Sequence, residues 1–251
     1  MYVYLDPGRF IADTTTTFDP RQFGGWVPHQ HIAYLWPTGP WYWVFDTLGV
    51  PDWIAHRLWI GTLLLLAGLG VRWMARVLGF AALAALVAAL VYQLSPYVLP
   101  YISRTSVLLL PWAGLGWIVA FTVLATRRPG WRYPAAIALV VFTVGAVNAT
   151  ALAMVVPAPV LWLVHAAWGR SITWRKAFTT AGQAGVLCVG VSLWWIVMLV
   201  IQGRNGADVL AYSESLEAVS FTSTSTEVTR GLGYWLFYVR DAYAATTTAS
   251  I

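Results

Sequence analysis

Between Asp52 and Asp208 the sequence contains neither aspartate nor glutamate. A stretch of that length without a carboxylate excludes metal or acid–base chemistry built on acids in the middle of the chain. Cysteine is nearly absent too. The single Cys188 excludes a disulfide framework and a thiol cluster for a metal, and reads as a small packing residue. Charged residues make up 10% of the chain and hydrophobic ones 59%, which is more apolar surface than a soluble domain of 251 residues needs. The net charge of +5 is spread over loops without a basic run, so a nucleic-acid partner is not indicated. No Gly-rich phosphate loop, no Gly-x-Ser-x-Gly and no Cys-His pairing occur, which removes nucleotide hydrolysis and nucleophilic hydrolases. His29 and His31, two apart with Asp19 nearby, read as polar loop side chains, and no zinc-type spacing occurs elsewhere; no metal site is expected.

Long apolar runs fill the middle. Runs of about 20 such residues read as membrane spans. The pattern predicts an all-α polytopic membrane protein with six spans: Trp53–Met74, Phe80–Ile102, Thr105–Ala125, Pro134–Val147, Ala151–Trp168 and Ala177–Ile201. The fourth is short for a hydrocarbon core of about 30 Å, and a dip is expected around Asn148, Ala149 and Thr150. Pro96 and Pro100 should break the end of the second span. Ala81, Ala85 and Ala89 should form a small-residue packing face. The division expected is a first outer loop over 1–52, a bundle over 53–202 and a second outer loop with an interfacial helix over 203–251.

Orientation follows from the loops. Arg72, Arg76, Arg127, Arg128, Arg132, Arg170, Arg175 and Lys176 alternate along the chain with loops that hold all ten acids. The acid-free basic loops are therefore expected on the cytoplasmic side, with the acid-bearing loops outside the plasma membrane. Residue 1 is then outside with no signal peptide before it, and both ends of the chain are expected to be truncated.

The polar chemistry concentrates in two segments. The first carries Asp6, Asp13, Asp19, Asp46 and Asp52, and the aromatic block from Leu35 to Trp43. Its Gly and Pro residues argue against a long helix before residue 41; a short aromatic helix from Trp41 to Leu48 is predicted, and Asp52 is placed to cap the next one. The second carries Asp208, Glu214, Glu217 and Glu227 ahead of Arg230-Gly231. Each feature also has a plain structural reading. Asp6, Asp19 and Asp52 adjoin prolines or helix starts and suit turns and caps, and Trp36, Trp41, Tyr42 and Trp43 suit an interfacial belt. Arg57 either faces a cavity or snorkels to the interface. The two segments are expected to form one cleft.

Three stretches carry a resemblance: Asp6-Pro7-Gly8-Arg9-Phe10, Tyr34-Leu35-Trp36-Pro37-Thr38-Gly39-Pro40, and Arg57-Leu58-Trp59. Together they resemble the amino-terminal membrane region of the actinobacterial alpha-(1->3)-arabinofuranosyltransferases. The resemblance implies a GT-C type glycosyltransferase bundle, a decaprenyl-phosphate arabinofuranose donor, an arabinan acceptor and no further cofactor. It implies a longer protein whose catalytic Asp precedes residue 1, leaving Asp6, Glu214 and Glu227 as the acids for catalysis in this chain. Arg230 and Arg57 are expected at the donor phosphate, and Gln30, Tyr34 and Trp36 at the sugars. A different class, half of a transporter or lipid flippase, predicts ionisable residues near the bilayer midplane; the charges between Trp59 and Val200 instead fall in loops. A structural scaffold subunit is a third reading.

Overall fold

The computed structural model describes residues 5–14, 31–96, 98, 101–102, 106–147, 149–205 and 225–229, with isolated positions 16, 18 and 25. Ten α-helices are described: α1 (Pro7–Asp13), α2 (Thr38–Thr47), α3 (Asp52–Leu78), α4 (Ala82–Gln93), α5 (Ser106–Arg127), α6 (Arg132–Val144), α7 (Ala149–Val155), α8 (Pro157–Trp168), α9 (Trp174–Asn205) and α10 (Ser225–Thr229). A 3-10 turn, His31–Tyr34, precedes α2.

Four stretches are long and apolar enough to cross a membrane: Asp52–Leu78, Leu108–Arg127, Ala149–Trp168 and Trp174–Asn205. At 1.5 Å per residue α3 runs for about 40 Å and α9 for about 48 Å. Of the six expected spans, four reach a membrane-crossing length among the described residues, while α4 and α6 are short apolar helices, each about 18–20 Å long. For α4 the cause is Pro96. The helix ends at Gln93, well before Ile102, because a proline leaves a carbonyl without its N–H partner. The brevity of α6 matches the sequence reading. The fifth span is interrupted: α7 stops at Val155, and Pro157 opens α8 from the first helical position, where its missing N–H costs nothing. Pro111, by contrast, lies inside α5 and is fully buried.

The bundle is organised on α3 and α5, whose backbones approach at two glycines. A Cβ on Gly116 would lie 2.5 Å from the Gly70 carbonyl carbon and 2.6 Å from the Val71 nitrogen. Polar side chains fasten neighbours to α3 through its carbonyls. Trp117 donates from its indole N–H to Leu66 O at 2.9 Å, and Gln93 donates to Leu64 O at 2.7 Å. In α4 the buried small face comprises Ala85 and Ala89; Ala81 is exposed at the N-cap, so the packing face is shorter than expected. The main core joins α3, α5 and α6 through Trp59, Leu63, Leu109, Leu110 and Val144. Large apolar side chains such as Leu65, Leu83, Leu161 and Val186 face outward. In water such a surface would be a liability; against lipid it costs nothing.

The two ends of the bundle differ. At one end α3 finishes at Gly79 with φ 100°, the left-handed turn that glycine adopts without strain. There Arg127 donates to Val77 O at 2.7 Å, tying α5 to α3, and Arg128 reaches the Tyr133 hydroxyl. The opposite end carries α1, α2 and the 3-10 turn.

Candidate functional site

The end that carries α1 and α2 holds the described members of the expected site. Asp6 is the N-cap of α1: its Oδ1 accepts from the Arg9 backbone N–H at 2.9 Å, and Pro7 follows at the first helical position. Asp6 is exposed. The Asp-Pro turn signal thus starts a helix, which the sequence reading did not foresee. Arg9 and Asp13 lie 3.8 Å apart along α1, the arginine exposed and the carboxylate largely buried.

α1 is held against α2 by one large side chain and one close approach. Phe10, 1% exposed, meets Tyr34 edge to face at 6.5 Å between ring centres. A Cβ on Gly39 would sit 3.2 Å from Tyr34 O and 3.3 Å from Ile11 Cγ1. The Trp36–Pro37 peptide is cis. α2 starts at Thr38, three residues earlier than expected, and the Thr38 hydroxyl donates to Tyr34 O at 3.0 Å.

α2 is in turn anchored to α3. The Trp41 indole N–H donates to Ala55 O at 3.1 Å, and its ring lies 5.3 Å from Trp59. The Tyr42 hydroxyl and His56 Nδ1 are 2.9 Å apart. These two contacts correct the belt reading for Trp41 and Tyr42, which are packed inward; Trp43 is exposed as a belt residue is. Trp36 stacks on Phe142 of α6 at 5.9 Å, and Phe142 meets Trp194 of α9. Ala33 packs with Ala146 and Trp195. The first polar segment is therefore laid across α3, α6 and α9, which close the floor beneath it.

Tyr34 is half-buried, and burial raises its phenol above the ordinary value of 10.0. It is a hydrogen-bonding neutral group on the segment that carries Asp6. Arg57 lies one turn along α3 from Trp53, with its guanidinium 4.6 Å from the ring centre. It is exposed, so of the two alternatives it takes the interfacial one. Asp52 is the first residue of α3 and Pro51 its N-cap; the expected side-chain cap is not made, and Asp52 acts through the helix dipole. The structure thus gathers Asp6, Tyr34, Trp36 and Arg57 at one end of the bundle. Gln30, Glu214 and Arg230 lie outside the described residues, as does the proposed contact between the two outer segments. Glu227 falls in α10, but its side chain is also outside them. The Tyr42–His56 pair and the Trp41 anchor escaped sequence reasoning, because two residues 14 apart across a Gly-Pro break carry no periodic signal.

Residues 1–250 match the model of the alpha-(1->3)-arabinofuranosyltransferase amino-terminal GT-C domain. The chain belongs to this family. The alpha-(1->3)-arabinofuranosyltransferase of Mycobacterium tuberculosis is 31% identical over 93% of this chain, and that of Mycolicibacterium smegmatis 32% over 98%. The chain spans 17% of the length of each. The cryo-EM structure of arabinofuranosyltransferase AftD from mycobacteria superposes with a TM-score of 0.76 at 28% identity, covering 89% of this chain and 17% of that one. Its R1389S mutant gives the same TM-score at 26% identity. The bundle is therefore a GT-C membrane fold, and the transporter reading finds no support.

Proposed function

We propose that this chain is part of a membrane glycosyltransferase that moves arabinofuranose from a polyprenyl-phosphate donor to cell-wall arabinan on the outer face of the plasma membrane. The observation that carries the reading is the match of the whole bundle to the GT-C domain family. The placement of the polar groups supports it: an exposed carboxylate, an interfacial arginine and two aromatics share one end. That end bears the acids, and the positive-inside rule sets it outward.

In the reaction a carboxylate takes the proton of the acceptor hydroxyl as that oxygen attacks the anomeric carbon. The carbon–oxygen bond to the lipid phosphate breaks, and polyprenyl phosphate leaves with the bonding pair. Arg57 and Arg230 meet the charge that develops on the leaving phosphate, the type of electrostatic stabilisation that usually contributes most. Trp36 and Tyr34 stack on and hydrogen-bond to sugar, with Gln30 beside them in sequence. Asp6 is the described acid placed to act as base, and Glu214 and Glu227 are the others. No cofactor enters beyond the lipid-linked donor.

Asp6 separates its two roles by substitution. Asparagine caps a helix as well as aspartate does but takes up no proton. In the complete polypeptide, Asp6→Asn should keep helicity and lose at least about 100-fold in transfer. Transfer retained in Asp6→Asn but lowered in Asp6→Ala would reduce Asp6 to a cap. Loss of donor-dependent transfer from the unsubstituted polypeptide would remove the reading itself.

A further inference from the structure

A long apolar cavity on the side of the bundle adjoins a smaller one at the end opposite the candidate site. The first, of about 380 Å³, lies among α5, α6, α7, α8 and α9, and is lined by Ile118, Val141, Val155, Leu163, Gly185 and Cys188 among others. Its wall on α9 runs from Thr180 to Ile196, about 24 Å at helical rise. Apart from three hydroxyl side chains its lining is apolar, which suits a hydrocarbon chain. Its sides are open: Val156, Val160 and Val189 line it and are each about half exposed, so the slot faces the bilayer between α8 and α9.

The second cavity, of about 280 Å³, is lined by Arg175, Lys176, Thr173, Thr179 and Gln183 together with Ala125 and Pro129. Thr180 lines both, so the two adjoin at that residue. No carboxylate exists anywhere from residue 53 to residue 207, so these cations have no acidic partner within the bundle. Trp168 and Trp174, both exposed, flank the cavity in sequence and place it at headgroup depth.

We propose that the pair forms a binding site for an anionic glycerophospholipid of the leaflet at the basic end. One acyl chain occupies the slot, and the phosphate sits against Arg175 and Lys176 with the Thr173 and Thr179 hydroxyls beside it. Either half alone would be ordinary for a membrane protein. Their meeting at Thr180, with an apolar groove open to the bilayer beside a cavity that carries two cations, fits a molecule with a charged head and a long tail. Its headgroup half lies at the other end from Asp6 and Arg57, and the proposal does not depend on the transferase reading.

The test uses the full chain in mixed micelles of equimolar dioleoyl phosphatidylglycerol and dioleoyl phosphatidylcholine, with retained lipid counted by native mass spectrometry. The unsubstituted chain should retain phosphatidylglycerol about tenfold over phosphatidylcholine, a ratio equal to about 1.4 kcal/mol. Arg175→Gln with Lys176→Gln should bring the ratio below about twofold. Gly185→Leu, at a position where an added side chain meets open space, should fill the slot and cut retention of both lipids. If the double substitution fails to elute as a folded species, exposed Arg175→Gln alone carries the charge test, with a loss of about threefold in the ratio. An unchanged preference in the charge variants, or unchanged retention in Gly185→Leu, overturns the proposal. So does thermal protection by inorganic phosphate equal to that by phosphatidylglycerol, which marks a free-anion site.

Discussion

Replacing Gly116 by alanine puts one methyl group where α3 and α5 are closest. The added carbon would lie 2.5, 2.6 and 2.8 Å from the carbonyl carbon of Gly70, the nitrogen of Val71 and the oxygen of Gly70. All three are backbone atoms, so no rotamer change relieves the overlap and the helices must separate. Separation also pulls on the Trp117 indole, whose hydrogen bond to Leu66 O spans the same seam. Overpacking of a tight interior costs about 1–3 kcal/mol, and loss of the indole bond adds about 1 kcal/mol. Alanine's better helix propensity returns about 1 kcal/mol. The net expectation is a loss of about 1–3 kcal/mol, or a folded-to-unfolded ratio about 5–150-fold lower. Gly61→Ala, on the partner helix α3, meets nothing within 4 Å and should keep the propensity gain. Denaturation of the purified chain in mild detergent, followed by tryptophan fluorescence, measures both. Equal midpoints for Gly116→Ala and Gly61→Ala would refute the close-approach argument.

Three further outcomes are expected. Tyr42→Phe removes the hydroxyl that meets His56 at 2.9 Å and should cost about 1 kcal/mol in the same denaturation assay. An unchanged midpoint would mean that Trp41 alone anchors α2. The Tyr34 phenol is raised by burial, so the folded chain holds that proton at pH values where the unfolded chain has lost it. Its contribution is complete below pH 10.0 and declines above it; the alkaline fall in stability should be smaller in Tyr34→Phe. In a Cys188→Ala background, single cysteines at Thr16 and Ser223 should react with an impermeant thiol reagent on intact cells, and one at Gly130 should not. Labelling at Gly130 would reverse the orientation.

The membrane class was legible in the sequence because it rests on counts that no packing detail can alter. An acid-free stretch flanked by acids leaves few alternatives. The short fourth span was legible for the same reason. The interruption between α7 and α8 was not, because Val155 to Pro159 is as apolar as its surroundings and hydropathy does not register where one helix gives way to the next. At the site, Asp6, Tyr34, Trp36 and Arg57 were found from motif and position, and the structure does bring them to one end. What holds them there was hidden. Gly39 against Ile11, Trp41 against Ala55 and Tyr42 against His56 join residues through tertiary contacts. Their individual propensities suggest only a turn and an aromatic belt. The α1 cap is an intermediate case: Asp-Pro-Gly reads as a turn until the buried Phe10 supplies a reason for the helix to continue.

The claim that the acid-bearing end performs the transfer is tested most directly by sidedness. Sealed right-side-out and inverted vesicles containing the complete polypeptide would be given decaprenyl-phosphate arabinofuranose, with a membrane-impermeant arabinan acceptor added outside. Arabinofuranose should appear in the acceptor with right-side-out vesicles, and with inverted ones only after they are opened. Equal product from sealed inverted vesicles, or none from either, would contradict the account.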